Sequence, residues 1–502
     1  MGIVTLLLFL VSLLAVMGAG VMGPGVMRFA LPAAAILACA ACLALSKPRL
    51  RGASKPACLA VPAVPSSQHR RPVEEEGRIV RTECELSGLM VGIAPYAGGP
   101  DRRLVLLASA LVLFLALTAL PLPEFMDRAV GNRRAGQNEL ARQTIADAGK
   151  LSLAHTPPAG FSLSRDRAAT GRTILLVIAG LAVAALAARL PPSRKEIFLQ
   201  GLVIVGVVIA AAGFAGQWLI PQGKTLWWFI PVPHGQPVGC FINRNHFGGF
   251  VALLCPAALA LAARDFGQKR FGSAVVWAAC FLVMTLAVVM SLSRGAWLAC
   301  TAALLAVAIL FLISRRPFMI AAIAALLALV FWGVSRLPHE EIEDRAATLA
   351  APAASQTAQM RLSTWRDTLR IIPDYTFWGI GANAFRMVFP QYRTATTRKS
   401  FKHAENEYLQ TPAELGLIGT ALLLGLGLAA AGRWRQNHVR DLLSPVVEIG
   451  IAGALVAASV HALCDFPIRI PLYFVVLASL MGLVVSPPPA PRDPGDTIQP
   501  PS

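Results

Sequence analysis

Long apolar runs separated by short charged breaks dominate the chain. Runs of roughly 18–22 residues fit helices that cross a bilayer, because a spanning helix needs about 20 apolar residues and must satisfy its own backbone. About twelve spans are predicted, near 3–20, 29–46, 103–122, 172–190, 197–220, 245–263, 272–292, 296–313, 317–336, 415–432, 445–464 and 470–486. The expected fold is therefore an all-α integral membrane protein. Its hydrophilic interruptions are 47–102, 123–171, 337–414 and the Pro-rich tail SPPPAPRDPGDTIQPPS.

Composition agrees. The chain has 502 residues, of which 56% are hydrophobic and 14% charged, and its mean hydropathy is +0.61. Soluble domains carry about 25% charged residues, so a water-facing coat is lacking. The net charge of +18 does not point to nucleic acid, since no binding module accompanies it and the basic residues fall between apolar runs. That distribution is the positive-inside pattern. Lys47-Pro48-Arg49 with Arg51, Arg194-Lys195, Arg264 with Lys269 and Arg270, Arg315-Arg316, and Arg433 with Arg435 and Arg440 all lie on one side if the spans alternate. That side is read as cytoplasmic, with both termini inside and the loops 123–171 and 337–414 outside. Loop 47–102 reads as weakly ordered. The apolar start lacks a basic n-region and is read as a first span rather than a signal peptide. Leu6 excludes a myristoylation signal. The nine cysteines, mostly inside apolar segments, read as packing residues.

Loop 337–414 carries the chemistry. Arg361, Arg366, Arg370, Arg386 and Arg393 suit an anion, because the guanidinium fork matches phosphate oxygens. In RLSTWRDTLRIIPD, the residues Leu362, Trp365, Leu369 and Ile372 form one apolar stripe of a helix that Pro373 should stop. Such a helix would lie on the membrane surface or cap the bundle. GIGANAF suggests a tight turn offering backbone N–H groups. HAENEYLQTPAELG then leads into span ten. If helical, it places His403, Glu407, Gln410 and Glu414 on one polar stripe beside Asn406, with Pro412 a point where the helix may restart. A His with a Glu one turn away is a candidate general base whose protonated state the Glu favours. His155, His234 and His339 are read as incidental. Arg294, between spans seven and eight, Asn243 to His246 before span six, and His461 with Asp465 after span eleven reach the same outer face. Convergence of four separated segments marks a site there. Neither paired carboxylates of the glycosidase kind nor a metal-ligand cluster is visible.

The order FINRNHFGGF, SLSRGAWLA, RLSTWRDTL, GIGANAF, HAENEYLQTPAELGLIG and HALCDFPIRIP, over residues 237–475, resembles the O-antigen ligase and O-antigen polymerase superfamily. The resemblance implies a twelve-helix membrane glycosyltransferase of the GT-C type in a bacterial inner membrane. A long periplasmic loop would join spans nine and ten, with neither metal nor nucleotide cofactor. It would move a glycan from an undecaprenyl-pyrophosphate carrier to an acceptor hydroxyl at the periplasmic face. Carried over by motif, His403 is the catalytic base, and Arg294 and Arg361 neutralise the departing pyrophosphate, a task that Arg366, Arg370 or Arg386 could also fill. Asn406, Glu407 and Tyr408 shape the substrate pocket, Arg386 contributes to substrate binding, and Asn243 lines the far wall.

The chain then divides into the first two spans (1–46), the loop 47–102, spans three to five with loop 123–171 (103–236), the ligase-like region (237–475) and the end of the last span with its tail (476–502). Expected partners are a polyprenyl-pyrophosphate-linked glycan, a lipid or glycan acceptor and the bilayer, with no nucleic acid. Alternatives within the same chemistry are exopolysaccharide polymerisation and protein O-glycosylation. The alternative of another class is a solute or bicarbonate transporter, which should show interrupted helices and ionisable groups near the midplane.

Overall fold

The computed structural model describes residues 101–122, 161–219, 225–226, 230–231, 238–335, 356–395, 401–439 and 443–486. The first two expected spans, the loop 47–102, most of loop 123–171, the tail, His155, His234 and His339 lie outside the described residues. Within them the chain is helical. The helices are α1 (Arg102–Ala119), α2 (Arg167–Ala188), α3 (Pro192–Leu219), α4 (Arg244–Gly267), α5 (Phe271–Met290), α6 (Arg294–Ile313), α7 (Pro317–Val334), α8 (Gln356–Asp374), the single turn α9 (Phe385–Val388), α10 (Glu407–His438), α11 (Pro445–His461) and α12 (Pro471–Val484). Two minimal antiparallel ladders accompany them: β1 (Pro121–Leu122) with β2 (Phe161–Ser162), and β3 (Thr225–Leu226) with β4 (Ile230–Pro231).

Spans three to twelve of the sequence reading each coincide with a helix. Among the described residues, α1 to α6 and α10 are long and apolar enough to cross a membrane, and α7, α11 and α12 supply shorter apolar helices. The protein is thus a multi-pass helical membrane protein.

Helix α4 is the axis. Every residue from Phe247 to Asp265 is buried, because the helix is apolar on all sides and neighbours enclose it. It packs on α5, α11, α6 and α3. Small residues let backbones approach, as membrane interfaces require. A Cβ on Gly453 of α11 would lie 2.7 Å from Pro256 Cβ of α4, and one on Gly450 only 2.9 Å from the Pro256 carbonyl oxygen. Beside this core, α1, α2 and α10 form a second group, keyed by the Phe114–Trp378 stack at 6.1 Å.

Polar clusters close both ends of the bundle. At one end, Arg264 bonds Glu196 at 2.8 Å and Asp265 at 2.6 Å, Lys195 Nζ donates to the Leu483 carbonyl at 2.8 Å, and Arg433 Nε donates to the Ser486 carbonyl at 2.7 Å. Three basic residues expected as plain positive-inside charges are therefore buried and bonded in the structure. At the other end, the starts of α4, α6, α10 and α12 meet the end of α11. His246 and Arg264 lie on one helix, about 27 Å apart at 1.5 Å per residue, close to the thickness of a hydrocarbon core.

Helix α10 is broken where expectation did not place a break. Pro412 leaves the helix running, whereas Gly416 takes φ 63° and ψ −167°. The turn after α8 inserts into the gap. Ile380 and Gly381 N–H donate to the carbonyls of Ala413 and Glu414 at 3.0 and 2.9 Å, and Leu417 N–H donates to the Thr376 carbonyl at 2.7 Å. The broken helix thus recovers its orphaned backbone groups from one inserted turn, as membrane-embedded backbone must. Gly379 and Gly416 face each other there, both at positive φ, and a Cβ on Gly416 would meet the Gly379 nitrogen.

Gly416→Val should therefore lower stability by about 2–4 kcal/mol through backbone strain and overpacking. Gly427→Ala, with nothing near its would-be Cβ, should be neutral or stabilising by up to about 1 kcal/mol. Thermal unfolding of the two variants in detergent measures the contrast.

Candidate active site

The site forms at the end of the bundle where the loop 401–406 drops between α8, α10 and the 461–470 corner. Each wall has a local cause. The turn from α5 to α6 is only Ser291 to Ser293, with Leu292 at φ 54°, and Ser293 caps α6 by accepting from Ala296 N–H at 3.3 Å. This fixes Arg294 at the first helical position. Asn243 caps α4, its side chain accepting from Asn245 N–H at 2.9 Å, and so sets where His246 stands. Asn406 caps α10, accepting from Leu409 N–H at 3.2 Å, an arrangement favoured because Asn satisfies an orphan donor.

The polar stripe expected on one helix is corrected here. The helix begins at Glu407, and His403 precedes it in an irregular turn with Glu405 at φ 54°. Nor does Glu407 orient the imidazole. Gln410 does, its Nε2 lying 3.2 Å from His403 Nδ1. Glu407 instead accepts from Arg469 at 3.1 Å, and Arg469 also donates to Glu414 at 2.7 Å. Glu414 accepts further bonds from Gln410 at 2.7 Å and from the Asn383 N–H. His403 stacks on Phe466 at 4.0 Å between ring centres, while the ring of His246 meets Phe466 edge-on at 4.9 Å.

Asp465 lies between two further imidazoles, His246 at 3.5 Å and His461 at 3.6 Å. His461 fits there because Gly249 and Gly295 leave room, and a Cβ on Gly249 would overlap its ring. Among the described residues, buried polar atoms with no hydrogen-bond partner concentrate here: His246 Nε2, both nitrogens of His461, Asp465 Oδ2, Glu407 Oε1 and Tyr473 Oη. Buried polar groups are normally satisfied, so this end of the bundle is the candidate binding site.

Electrostatics sharpen it. Burial, then the positive charge of Arg469 and the nearness of His246, push the His403 pKa down to about 3, so its ring is neutral at ordinary pH. This departs from the expectation that Glu407 would favour the protonated ring. Burial opposes ionisation of Asp465, but His246, His461 and the Phe466 N–H outweigh it and hold the carboxyl at about 2. Burial also works against charge on Arg361 and Arg469, and their carboxylate partners more than compensate, leaving both fully cationic.

The arginines separate clearly. Arg361, on the first turns of α8, donates through Nε to Glu405 at 2.7 Å, and its charge reaches Cys464, Asp465 and His461. Arg294 also acts on Cys464, and a Cβ on its neighbour Gly295 would sit 2.6 Å from Cys464 Sγ. Arg366 and Arg370 are exposed, with Arg370 3.6 Å from Asp367. Arg386 bonds Asp166 at 3.0 Å, at the start of α2. Of the loop arginines weighed against one another, Arg361 is the one that joins the His403 segment through Glu405. Tyr408 is half exposed and donates to the Ser459 carbonyl at 3.1 Å.

Two further expectations change. The N–H groups of GIGANAF do not await a phosphate, because Gly379 donates to Tyr375, Ile380 to Ala413, Gly381 to Glu414 and Asn383 to the Glu414 side chain. Helix α8 runs through Pro373 to Asp374, and its buried face is Thr364, Asp367, Thr368 and Ile371, while Leu362 and Leu369 point outward. The residues missed by sequence reasoning are Arg469, Glu405 and Phe466. Arg469 had a signal: a cation on the outer side, between two apolar segments, with two acidic residues on α10 in need of a partner.

Arg469→Ala should cost about 3–5 kcal/mol by leaving Glu407 and Glu414 buried without their cation. Arg361→Ala, removing one partly exposed pair, should cost no more than about 1 kcal/mol. Chromatographic monodispersity after graded heating distinguishes the two.

Residues 279–424 match the family model described as O-antigen ligase, so this stretch is similar to the superfamily that the motifs resemble. The matched stretch includes Arg294, Arg361, Arg386, His403, Asn406, Glu407 and Tyr408, and stops short of Asp465 and Arg469. No curated protein matches the chain. The match supports glycan ligase- or polymerase-type activity in a membrane.

Proposed function

We propose that the protein transfers a glycan from a polyprenyl-pyrophosphate carrier, undecaprenyl pyrophosphate in bacteria, to an acceptor hydroxyl at the periplasmic face of the inner membrane. The observation that carries this reading is the convergence of three separate segments at one end of an apolar bundle: Arg361 bonds Glu405, two residues from His403, His403 stacks on Phe466, and Gly295, next to Arg294, packs against Cys464. Both substrates are lipid-anchored, so a site level with the membrane surface suits them.

In the reaction the acceptor oxygen bonds to the anomeric carbon as the carbon–oxygen bond to pyrophosphate breaks, and the electron pair leaves with the phosphate. Charge therefore grows on the pyrophosphate in the transition state, where preoriented cationic donors help most. Arg294 and Arg361 take that role. Arg361 keeps guanidinium donors beyond the Nε bonded to Glu405. His403 faces the reacting oxygens, Asn406 and Glu407 shape the pocket floor, and Tyr408 and Asn243 border it. Arg386, tied to Asp166, serves at the edge toward α2. The GT-C relationship, the twelve-span count and the cytoplasmic placement of both termini belong to the same proposal.

Glycan transfer is preferred to transport because, among the described residues, the ion pairs gather at the ends of the bundle. The interruption of α10 is also filled by backbone from the same chain. Ligation, repeat-unit polymerisation and protein glycosylation share this chemistry and differ in acceptor.

His403→Ala should lower transfer from a purified undecaprenyl-pyrophosphate-linked glycan by roughly 10²–10⁴-fold while the protein stays folded in the membrane. Full activity in that variant would overturn the assignment. Arg294→Ala should weaken carrier binding, and Arg294→Lys should restore it only in part, since an ammonium lacks the planar fork. Transfer should proceed in EDTA, and a requirement for added Mg²⁺ or Mn²⁺ would reject the metal-free reading.

A further inference from the structure

We infer that His403 serves the reaction as a neutral hydrogen-bond donor through Nε2–H, and not as a general base, because Gln410 fixes its tautomer. The inference rests on the proposed transfer function and specifies what the histidine does in it.

The Gln410 side-chain oxygen accepts from the Ala404 backbone N–H at 2.8 Å. A backbone N–H can only donate, so the amide cannot be turned over without losing that bond. Its nitrogen then carries two hydrogens, and both are placed: one on Glu414 Oε1 at 2.7 Å, the other toward His403 Nδ1 at 3.2 Å. Glu414 Oε1 accepts from Gln410, while its other oxygen, Oε2, accepts from Arg469 Nη1 at 2.7 Å. Hence His403 Nδ1 is an acceptor. A neutral imidazole with Nδ1 unprotonated carries its proton on Nε2.

Nε2 is the ring atom left for the substrate. A base acting there would need a lone pair on Nε2, and the Gln410 contact puts a proton on it instead. A second protonation is opposed as well. Burial, Arg469, His246 and Lys402 disfavour the imidazolium, and they outweigh Asp465, which favours it. Stacking on Phe466 holds the ring plane. Gln410, with Glu414 and Arg469 behind it, is thus a positioning relay.

The step balances without a histidine base. The acceptor oxygen–carbon bond forms, the carbon–oxygen bond to pyrophosphate breaks, and the electron pair goes to the phosphate oxygen. The acceptor proton leaves on the released polyprenyl pyrophosphate. Nε2–H donates to a phosphate oxygen whose charge is growing and is itself unchanged at the end. His403 then joins Arg294 and Arg361 as a third donor to the leaving group.

Glutamine at 403 tests this, because its amide N–H can stand where Nε2–H stood but cannot accept a proton as a base. His403→Gln should lose about tenfold in kcat/KM, the effect of roughly 1.4 kcal/mol from an imperfectly placed donor, against roughly 10²–10³-fold for His403→Ala, which removes the donor. Equal, full losses in both would overturn the donor role and leave the transfer function standing. Activity in His403→Ala itself would instead remove the site. Nitrogen-15 spectra of histidine-labelled protein, with the His403 signal assigned by its absence in His403→Gln, give a readout independent of activity. Nδ1 should resonate as unprotonated and Nε2 as protonated, with no titration between pH 5 and pH 8, and Gln410→Ala should mix the tautomers. A protonated Nδ1, or a His403 titration near neutral pH, would refute the inference.

Discussion

Arg469 is the pivot of the active end. It stands in the corner between α11 and α12 and donates to Glu407 and Glu414, in the first and third turns of α10. A cation and two carboxylates taken out of water are each costly alone, and tolerable only when bonded to one another. Because the cost falls on any arrangement that separates them, the corner, the start of α10 and the loop before it are held in one register. Glu414 extends the grip by accepting from Gln410 and from the Asn383 backbone. The orientation of His403 therefore traces back, through two side chains, to a cation on another helix corner.

The second constraint is steric. The turn at Gly379 inserts into the break at Gly416, and neither residue leaves room for a side chain. The inserted N–H groups satisfy carbonyls that a straight helix would have bonded internally. What reads in the sequence as a glycine turn waiting for a phosphate is a structural plug. It ties the turn that follows α8, the helix carrying Arg361, to the helix that follows His403.

Most of the membrane architecture was legible. Ten expected spans have helices because a bilayer imposes long apolar runs, and these survive any detail of packing. His403, Arg294 and Arg361 were also readable as candidates, since polar groups beside apolar runs are unusual. What periodicity could not show was partnership. The spacing of His403, Glu407 and Gln410 suggested a helical stripe, but Glu405 at positive φ and the Asn406 cap place His403 before the helix. Glu407 then turns to Arg469, a residue from a segment 62 positions away. The outward face of α8 was misread for a related reason. Thr364, Asp367 and Thr368 are buried by bonds of their own, Asp367 holding Thr394 at 2.8 Å, and hydrophobicity alone ranks such residues as exposed.

The interrupted helix bears on the choice between transport and transfer. Transporters use broken helices to present backbone carbonyls and helix ends to an ion or solute in mid-membrane. In α10 those groups are already bonded to residues 376–381, so the break offers nothing to a passing ion. Its effect is to let Glu407 to Ala413 lie on a separate axis from the rest of the helix, bringing Gln410 under His403. The distortion thus aims side chains at a fixed site. A neutral histidine, two arginines and a buried carboxylate at one end of the bundle fit the proposed transfer, in which a departing anion has to be stabilised.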